Sequence, residues 1–305
     1  MRPEDGSLKE RRPSADDLGW EQVRFWFGYG TPMTPLDPNR AIYPNAPLKL
    51  VAFELRFPAL PELLEPSREI DRLLRERLPI LGSPPMAEVM LEVSVGGPPR
   101  ATHRQGGLRR LDRRRRESVA ITPSSATAET SAYVRFESFR GFVEEMLRHL
   151  ESSIDVPAIE RIGLRYIDEI DPAELPEPVQ WSDYIASDVL CVADYFGHEP
   201  LETHTAAVFS PAEHEELVLR YGLARQPVVR PGGPLHIDGS PAGPYFLIDI
   251  DSSWIAPPDD LPEFTVDSVL ATLDRLHVPV RAAFEGMITD GLREHMQKTN
   301  EEVEE

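Results

Sequence analysis

Two carboxylates, Asp249 and Asp251, have the clearest spacing for chemistry in the chain. They lie in the run YFLIDIDS, which predicts a strand, and alternate side chains of a strand project from one face about 7 Å apart. That separation suits a divalent cation or a division of acid and base roles, with His236 as a third candidate catalytic residue. The alternative is the solvated face of a half-buried strand that packs through Phe246 and Ile248.

Histidine and glutamate are dense between residues 198 and 204, where His198, Glu202 and His204 are candidate metal ligands. In a strand that begins at Leu201, Glu202 and His204 share one face as a carboxylate and imidazole pair. The segment holds no HExxH motif and no cysteine partner, so its spacing matches no defined metal site. A surface loop followed by an edge strand is the simpler interpretation.

Arginine is concentrated in the segment Arg100–Arg116, which holds eight arginines and one acid. The whole chain carries a net charge of -20, so the remainder carries -27 and repels nucleic-acid phosphates. Four consecutive arginines must be largely solvated, and they are candidates for binding a nucleic acid or an acidic partner. These are Arg113, Arg114, Arg115 and Arg116. The alternative is a flexible basic loop without a ligand.

A second pair of arginines, Arg161 and Arg165, lies on one face of the predicted strand IERIGLRYIDEI. Guanidinium groups in that position can bind an anionic ligand or form salt bridges with Asp168 or Glu169. Salt bridging is the simpler use, and both arginines remain candidate anion-binding residues.

Signatures of several enzyme classes are absent from the sequence. It has no GxSxG nucleophile elbow and no P-loop, and its glycine pairs lack the strand-then-helix setting of a phosphate loop. The single cysteine, Cys191, lies among apolar residues, which favours packing and fits a reducing cytoplasm. No run of about 18 apolar residues occurs, and the polar N-terminus lacks an apolar signal core, so we expect a soluble cytoplasmic protein.

Strands joined by loops, with few crossover helices, are the elements that must position these residues. Period-two runs predict strands at 48–57, 87–95, 118–122, 131–137, 159–170, 201–209, 216–221 and 245–250. Helical spacing predicts helices at 70–78, 138–150, 181–190 and 266–292, the last of them kinked or split at Pro279. This order predicts the α+β class, with an antiparallel or mixed sheet and two or three amphipathic helices on one face. Strands followed by a long helix occur twice, which hints at two similar halves.

Composition and proline usage predict five parts of the chain. They are a disordered tail (1–19), an N-terminal α+β half (20–171) with an arginine-rich loop (96–116), a hinge (172–180), a C-terminal α+β half ending in a long helix (181–297) and an acidic tail (298–305).

Several longer runs resemble a known family. The runs YPNAPLKLVAFELRF, YVRFESFRGFVEEML, IERIGLRYIDEID, LIDIDS and LDRLHVPVRAAFEGMITDGLREHM are similar to segments of an uncharacterised, sporadically distributed bacterial protein family. The resemblance covers residues 43–296, and RIGLRYID is its most specific part. The N-terminal extension and the arginine-rich insertion depart from the family's pattern. The resemblance implies a soluble bacterial protein and carries no activity or catalytic residue with it.

The sequence therefore predicts a non-enzymatic interaction or accessory protein that binds other proteins, such as the products of neighbouring genes, and it predicts no cofactor. A homodimer is predicted from aromatic residues that need burial, namely Trp20, Trp26 and Trp254. One alternative is a metal-dependent hydrolase or nuclease built on Asp249 and Asp251 with a nearby histidine. A second is binding of a nucleic acid or anionic partner by the Arg100–Arg116 segment.

Overall fold

Eleven strands, five α-helices and three short 3-10 helices make up the regular structure of the described residues. A computed structural model describes residues 42–298, apart from 66–67, 93–99, 191–197, 199, 227, 230–232, 240 and 242. The strands are β1 (Leu48–Arg56), β2 (Ile80–Leu81), β3 (Met86–Glu92), β4 (Arg100–Gln105), β5 (Leu108–Leu111), β6 (Glu117–Thr122), β7 (Ser125–Thr130), β8 (Arg161–Ile170), β9 (Thr205–Phe209), β10 (Glu215–Ala224) and β11 (Tyr245–Ile255). The helices are α1 (Arg68–Arg77), α2 (Phe136–Ser153), α3 (Ser187–Leu190), α4 (Val266–Met287) and α5 (Asp290–Gln297).

Nine of these strands form one sheet in the order β2-β5-β6-β7-β1-β8-β11-β10-β9, and β3 pairs with β4 in a separate hairpin. Every strand pairing in the described residues is antiparallel. The predicted α+β class with an antiparallel sheet is therefore confirmed.

One face of the sheet carries the main hydrophobic core. Alternation along β1 sends Val51, Phe53 and Leu55 to this face, and all three are fully buried. The buried stripe of α2, which includes Phe142 and Leu147, belongs to the same core, together with the buried residues of α1 and α4. The opposite face carries most of the charged side chains of the central strands, so the two faces of the sheet have different chemistry.

One predicted element between residues 122 and 153 is wrong, and one strand there was not predicted. The predicted strand 131–137 does not form, since residues 131–135 belong to no strand and α2 begins at Phe136. The strand without a predicted counterpart is β7, which precedes these residues. Its sequence SATAET has no large apolar residue, and Ala126 and Ala128 are nevertheless fully buried under the helices.

The last predicted helix breaks at a different place. Helix α4 continues through Pro279 to Met287, and the chain leaves helical geometry at Ile288 before α5 begins at Asp290. Proline removes one backbone donor, but the packing of Leu276 and Val280 against the sheet holds the helix on both sides of it.

The arginine-rich segment is not a loop, as predicted for 96–116, but contains strands β4 and β5. Leu108 and Leu111 are buried and supply the apolar contacts that hold β5 in the sheet. The strand was missed because arginines separate these two leucines.

The predicted hinge at 172–180 lies between strands that pair with each other. Residues 41–305 form one compact unit, in which β8 precedes the hinge, β11 follows it, and the two strands pair along their length. Several predicted features lie outside the described residues, namely the tail 1–19, Trp20, Trp26, Cys191 and most of the acidic tail. Within the described part of the chain, no helix has the length and apolar character needed to cross a membrane.

Replacing Gly107 with alanine is expected to destabilise the fold by about 2 kcal/mol or more. Gly107 has a φ of +93°, and a Cβ there would meet the carbonyl oxygen of Ile121 at 2.0 Å. The matched control is Gly141→Ala in α2, where a Cβ meets no atom within 4 Å and the gain in helix propensity is about 1 kcal/mol. Urea unfolding of both variants tests this, and equal shifts in the two midpoints would contradict it.

Candidate functional site

Asp249 and Asp251 project from the same face of β11, as predicted, but arginine side chains already bind their oxygens. Arg165 donates from Nε to Oδ1 and from Nη2 to Oδ2 of Asp249, both at 2.7 Å. A second arginine, Arg220, lies 3.5 Å from the same carboxylate, which is only 2% exposed. Arg161 donates to Asp251 at 3.3 Å. A metal ion at this pair would have to displace guanidinium groups that neutralise it.

Gly163 makes room for Arg161, the arginine that binds Asp251. The guanidinium of Arg161 lies over Gly163, where a Cβ would stand 2.4 Å from Nη1. From there it donates to Glu54 at 2.7 Å as well as to Asp251. Arg161 and Arg165 therefore form salt bridges, with carboxylates of β1 and β11 rather than with the predicted Asp168 or Glu169. Hydrogen bonding to Asp249 also raises the pKa of Arg165 above its usual value.

The predicted histidines do not join the aspartates. His236 donates its backbone N–H to the carbonyl of Arg115, and its ring lies 3.1 Å from Asp238. Glu202 and His204 do pair, at 3.0 Å, but both are exposed and precede β9 in a loop. His198 is exposed. Among the described residues, no three side chains of the metal-binding types come together.

The arginine-rich segment includes the connection between β5 and β6, residues Asp112–Arg116, which we name the arginine turn. The Asp112 carboxylate accepts backbone N–H groups of Arg114 at 3.0 Å and of Glu117 at 2.9 Å, and also that of Arg116. Arg115 has a φ of +55°, which closes the turn. One side chain therefore fixes the backbone that presents four arginines.

A second segment supports the arginine turn from the side. Besides the bond from His236 to Arg115, Ser131 donates its N–H to the carbonyl of Arg116 at 2.9 Å and its hydroxyl to the carbonyl of His236 at 2.7 Å. Arg116 also forms an ion pair with Asp238. The turn is thus fastened to two other parts of the chain and is not the flexible loop of the alternative interpretation.

Arginines before the turn and arginines within it differ in their environment. Arg109 pairs with Glu129 at 3.1 Å, and Arg110 is buried and donates to Asp71 at 2.7 Å. By contrast, the three central arginines of the turn are exposed, and no carboxylate of the described residues forms an ion pair with them. They are Arg113, Arg114 and Arg115. Exposed guanidinium groups on a fixed backbone can bind an external anion.

A group of polar and aromatic residues on the helical side of the sheet was not predicted. It comprises the buried Asp168 and Tyr166 of β8 with the half-buried Tyr133, Phe136 and His277, and we name it the Asp168 cluster. Tyr166 donates its hydroxyl to that of Tyr133 at 3.3 Å, and the two rings meet edge to face with centroids 5.5 Å apart. The His277 ring stacks on Phe136 at 3.8 Å and lies 6.2 Å from Tyr166. The cluster joins β8, the start of α2 and the middle of α4.

Burial controls the ionisation of this cluster. Burial, followed by the negative charge of Asp249 on the other face, raises the pKa of Asp168 to about 8. Burial also raises the pKa of Tyr133 to about 12. It lowers the pKa of His277 to about 4, with a further contribution from the positive charge of Arg281. Asp168, Tyr133 and His277 are therefore mostly uncharged at neutral pH.

The alternation of β8 contains a signal for Asp168. Ile162, Leu164 and Tyr166 occupy one face of the predicted strand, and the next residue with the same parity is Asp168. An acid on the apolar side of a strand is a candidate functional residue, because burial of an unpaired carboxylate is costly. Tyr133 and His277, which contact Tyr166, are distant from it in sequence and gave no comparable signal.

No protein-family model matches the chain, and no curated protein matches it. The geometry of the arginine turn therefore carries the functional proposal.

Proposed function

We propose that this chain is a non-enzymatic interaction protein of the bacterial cytoplasm that binds an acidic partner protein through the arginine turn. The observation that carries the proposal is the exposure of Arg113, Arg114 and Arg115, which form no ion pair with a carboxylate of the described residues. The single cysteine and the resemblance to a sporadically distributed bacterial family support the location and the origin.

The backbone of the turn supports binding because it is fixed before a partner arrives. Asp112, Ser131 and His236 hold the turn through hydrogen bonds to its backbone. A fixed backbone lowers the ordering cost of association, so that more of the favourable charge interaction remains as affinity. Guanidinium groups bind carboxylates in a two-point geometry, which adds orientation to the charge attraction.

The charge distribution favours an acidic protein over a nucleic acid. The chain carries a net charge of -20, and a long polyanion near the turn would also meet the acidic remainder of the surface. An acidic patch on a protein is compact and can contact the turn alone. A second copy of this chain is an acidic protein too, so the predicted homodimer is one form of the proposal.

The metal-dependent hydrolase has less support. Both oxygens of Asp249 accept hydrogen bonds from Arg165, and Asp251 is bound by Arg161. This arrangement neutralises the carboxylates that the reaction would need, and His236 lies at the arginine turn instead.

Reversing two charges of the turn is expected to weaken binding to a short poly-L-glutamate peptide by about tenfold or more, since each exposed ion pair contributes up to about 1 kcal/mol. The variant is Arg114→Glu/Arg115→Glu in the full chain, measured by biolayer interferometry at low and high salt. The matched control is Arg68→Glu/Arg72→Glu on α1, which changes the net charge by the same amount. In α1 the acidic residues Glu69 and Asp71 lie between these two arginines. The control is expected to bind as the parent does.

Several outcomes decide this test. Absence of peptide binding by the parent chain, or equal losses in the turn and control variants, contradicts the proposal. Binding to duplex DNA that is tighter than to the peptide, and is lost in the turn variant, favours the nucleic-acid alternative. Light scattering identifies a homodimer if the parent is a dimer and the turn variant is a monomer.

A further inference from the structure

The last strand of the nine-stranded sheet, β9, has an outer edge that no strand of the described residues covers. β9 pairs only with β10, and the pairing runs regularly from Thr205 opposite Tyr221 to Phe209 opposite Leu217. The strand at the other end of the sheet, β2, has only two residues, which is one way in which proteins limit pairing at an edge. β9 is longer, and it contains no charged residue, proline or bulge that would prevent a further strand from pairing with it.

The hydrogen-bonding pattern shows which backbone groups of β9 face outward. Thr203, just before the strand, donates its N–H to the carbonyl oxygen of Leu223 in β10 at 2.9 Å. The register of β9 continues from this pair without a shift, and the backbone groups of an antiparallel strand point alternately to its two sides. The odd-numbered residues therefore bond to β10, whereas the N–H and C=O groups of Ala206 and Val208 point away from the sheet.

The side chains along this edge are small or apolar and carry no charge. Val208 is 63% exposed, and Ala206 is exposed as well. Arg220 of β10 lies opposite Ala206, but it forms an ion pair with Asp249. The range 203–212 holds no Asp, Glu, Lys or Arg, in a chain whose net charge is -20. The edge is therefore a place where an acidic molecule can approach with little local repulsion.

We propose that β9 pairs with β9 of a second copy of this chain, so that the two sheets form one continuous antiparallel sheet across a two-fold axis. With the axis at Ala207, Ala206 of each copy lies opposite Val208 of the other, and these pairs form about four backbone hydrogen bonds. Ala207 meets its counterpart in the non-hydrogen-bonded position, where the Cα atoms of two strands come closest, and alanine fits this short separation. Each Val208 side chain packs against the small side chain of Ala206.

The chemistry of the edge favours a second copy as the partner. An uncharged edge gives no electrostatic recognition to an acidic or a basic partner, so its complement is an uncharged extended segment with small side chains. β9 is such a segment, and a two-fold axis places each outward donor of one copy opposite an acceptor of the other. β5, which leads into the arginine turn, and β9 lie near opposite ends of the strand order. The inference therefore does not depend on the function proposed for that turn.

Dimerisation through β9 is expected to strengthen as salt is added. Two copies that each carry a net charge of -20 repel each other, and salt screens this repulsion without weakening the uncharged pairing of the edges. A dimer held by the arginine turn would instead weaken, because screening removes the attraction between guanidinium and carboxylate groups. Sedimentation velocity at about 50 mM and about 500 mM sodium chloride distinguishes the two dimers.

Sedimentation velocity of the full chain between about 1 and about 100 µM tests the proposal, and a concentration-dependent dimer is expected. The variant Val208→Glu places an acid of each copy at the interface and is expected to weaken dimerisation by about tenfold or more. The matched control is Val134→Glu, which adds the same charge at a valine that is 62% exposed and lies before α2. The control is expected to dimerise as the parent does.

A second variant tests whether the backbone makes the contact. Ala206→Pro removes an outward N–H but no hydrogen bond to β10, so a folded state is expected, and circular dichroism verifies it. It is expected to weaken dimerisation as well. In the parent chain, protection of the Ala206 and Val208 amides from hydrogen exchange is expected to rise with protein concentration.

Several results would each overturn the proposal. They are a monomer at every concentration, a dimer that Val208→Glu and Ala206→Pro leave unchanged, and equal weakening by Val134→Glu. Protection of the two outward amides that is independent of concentration would show that another segment of the chain covers the edge. A dimer that is lost in Arg114→Glu/Arg115→Glu and retained in Val208→Glu would assign the contact to the arginine turn instead.

Discussion

Replacing Asp168 with asparagine is expected to raise the free energy of unfolding at neutral pH by about 4 kcal/mol. The pKa of Asp168 is about 8 in the folded protein and close to 3.8 in the unfolded chain. Each pH unit above 3.8, up to the folded value of about 8, contributes about 1.4 kcal/mol, so the roughly three units below pH 7 amount to about 4 kcal/mol. Asparagine retains the shape of the side chain and avoids the cost of keeping a proton that the unfolded chain releases.

The sign of the pH dependence follows from the same linkage. The folded state holds the Asp168 proton between about pH 4 and pH 8, whereas the unfolded state has released it, so this group lowers the stability of the parent chain as the pH rises through that window. The difference between the parent and Asp168→Asn is expected to be small near pH 4, to grow with pH, and to be constant above about pH 8. Urea unfolding of both proteins at several pH values measures it.

A control separates burial from charge in this prediction. Asp251→Asn changes the same functional group at a partly exposed site beside Arg161 and is expected to change stability by less than about 1 kcal/mol. A difference between the parent and Asp168→Asn that does not change with pH would contradict the raised pKa of Asp168.

Replacing Arg165 with methionine is expected to lower the free energy of unfolding by about 3 kcal/mol. Arg165 makes two hydrogen bonds of 2.7 Å to Asp249, a carboxylate that is 2% exposed. Methionine fills a similar volume but leaves that charge buried, with Arg220 as the remaining cation at 3.5 Å. The free energy comes from urea unfolding at neutral pH.

Two further variants identify the origin of this loss. In Arg165→Met/Asp249→Leu the buried charge is absent, so part of the lost stability is expected to return, and a double-mutant cycle gives the coupling. The matched control is Arg148→Met, which removes an exposed arginine from its pair with Glu144 on α2 and is expected to cost less than about 1 kcal/mol. Equal losses for Arg165→Met and Arg148→Met would show that burial of Asp249 is unimportant.

The patterns with a regular period predicted their elements well. Alternation over LKLVAFELRF and RIGLRYIDEI matches β1 and β8, and the apolar stripe from Phe139 to Leu150 matches α2. β7 was missed because SATAET carries small side chains whose burial depends on the helix above them. β5 was missed because its arginines gave the segment the composition of a loop.

The candidate residues show a similar division. Alternation placed Asp249 and Asp251 on one face, and it placed Arg161 and Arg165 on one face of the neighbouring strand. It could not show that these two strands are adjacent, because β8 and β11 are separated by more than seventy residues of chain. Their pairing turns four candidate site residues into a network of ion pairs.

The sequence by itself determined which residues share a face of each element, and from this the α+β class and the acid on the apolar side of β8. The tertiary structure alone decided which faces meet. It brought Tyr133 and His277 to Tyr166, paired Asp249 with Arg165 and left the three central arginines of the turn without a carboxylate partner among the described residues. The physical reason is that the period of a strand or helix is a local property of the backbone, whereas the neutralisation of a charge depends on groups that are distant in the chain.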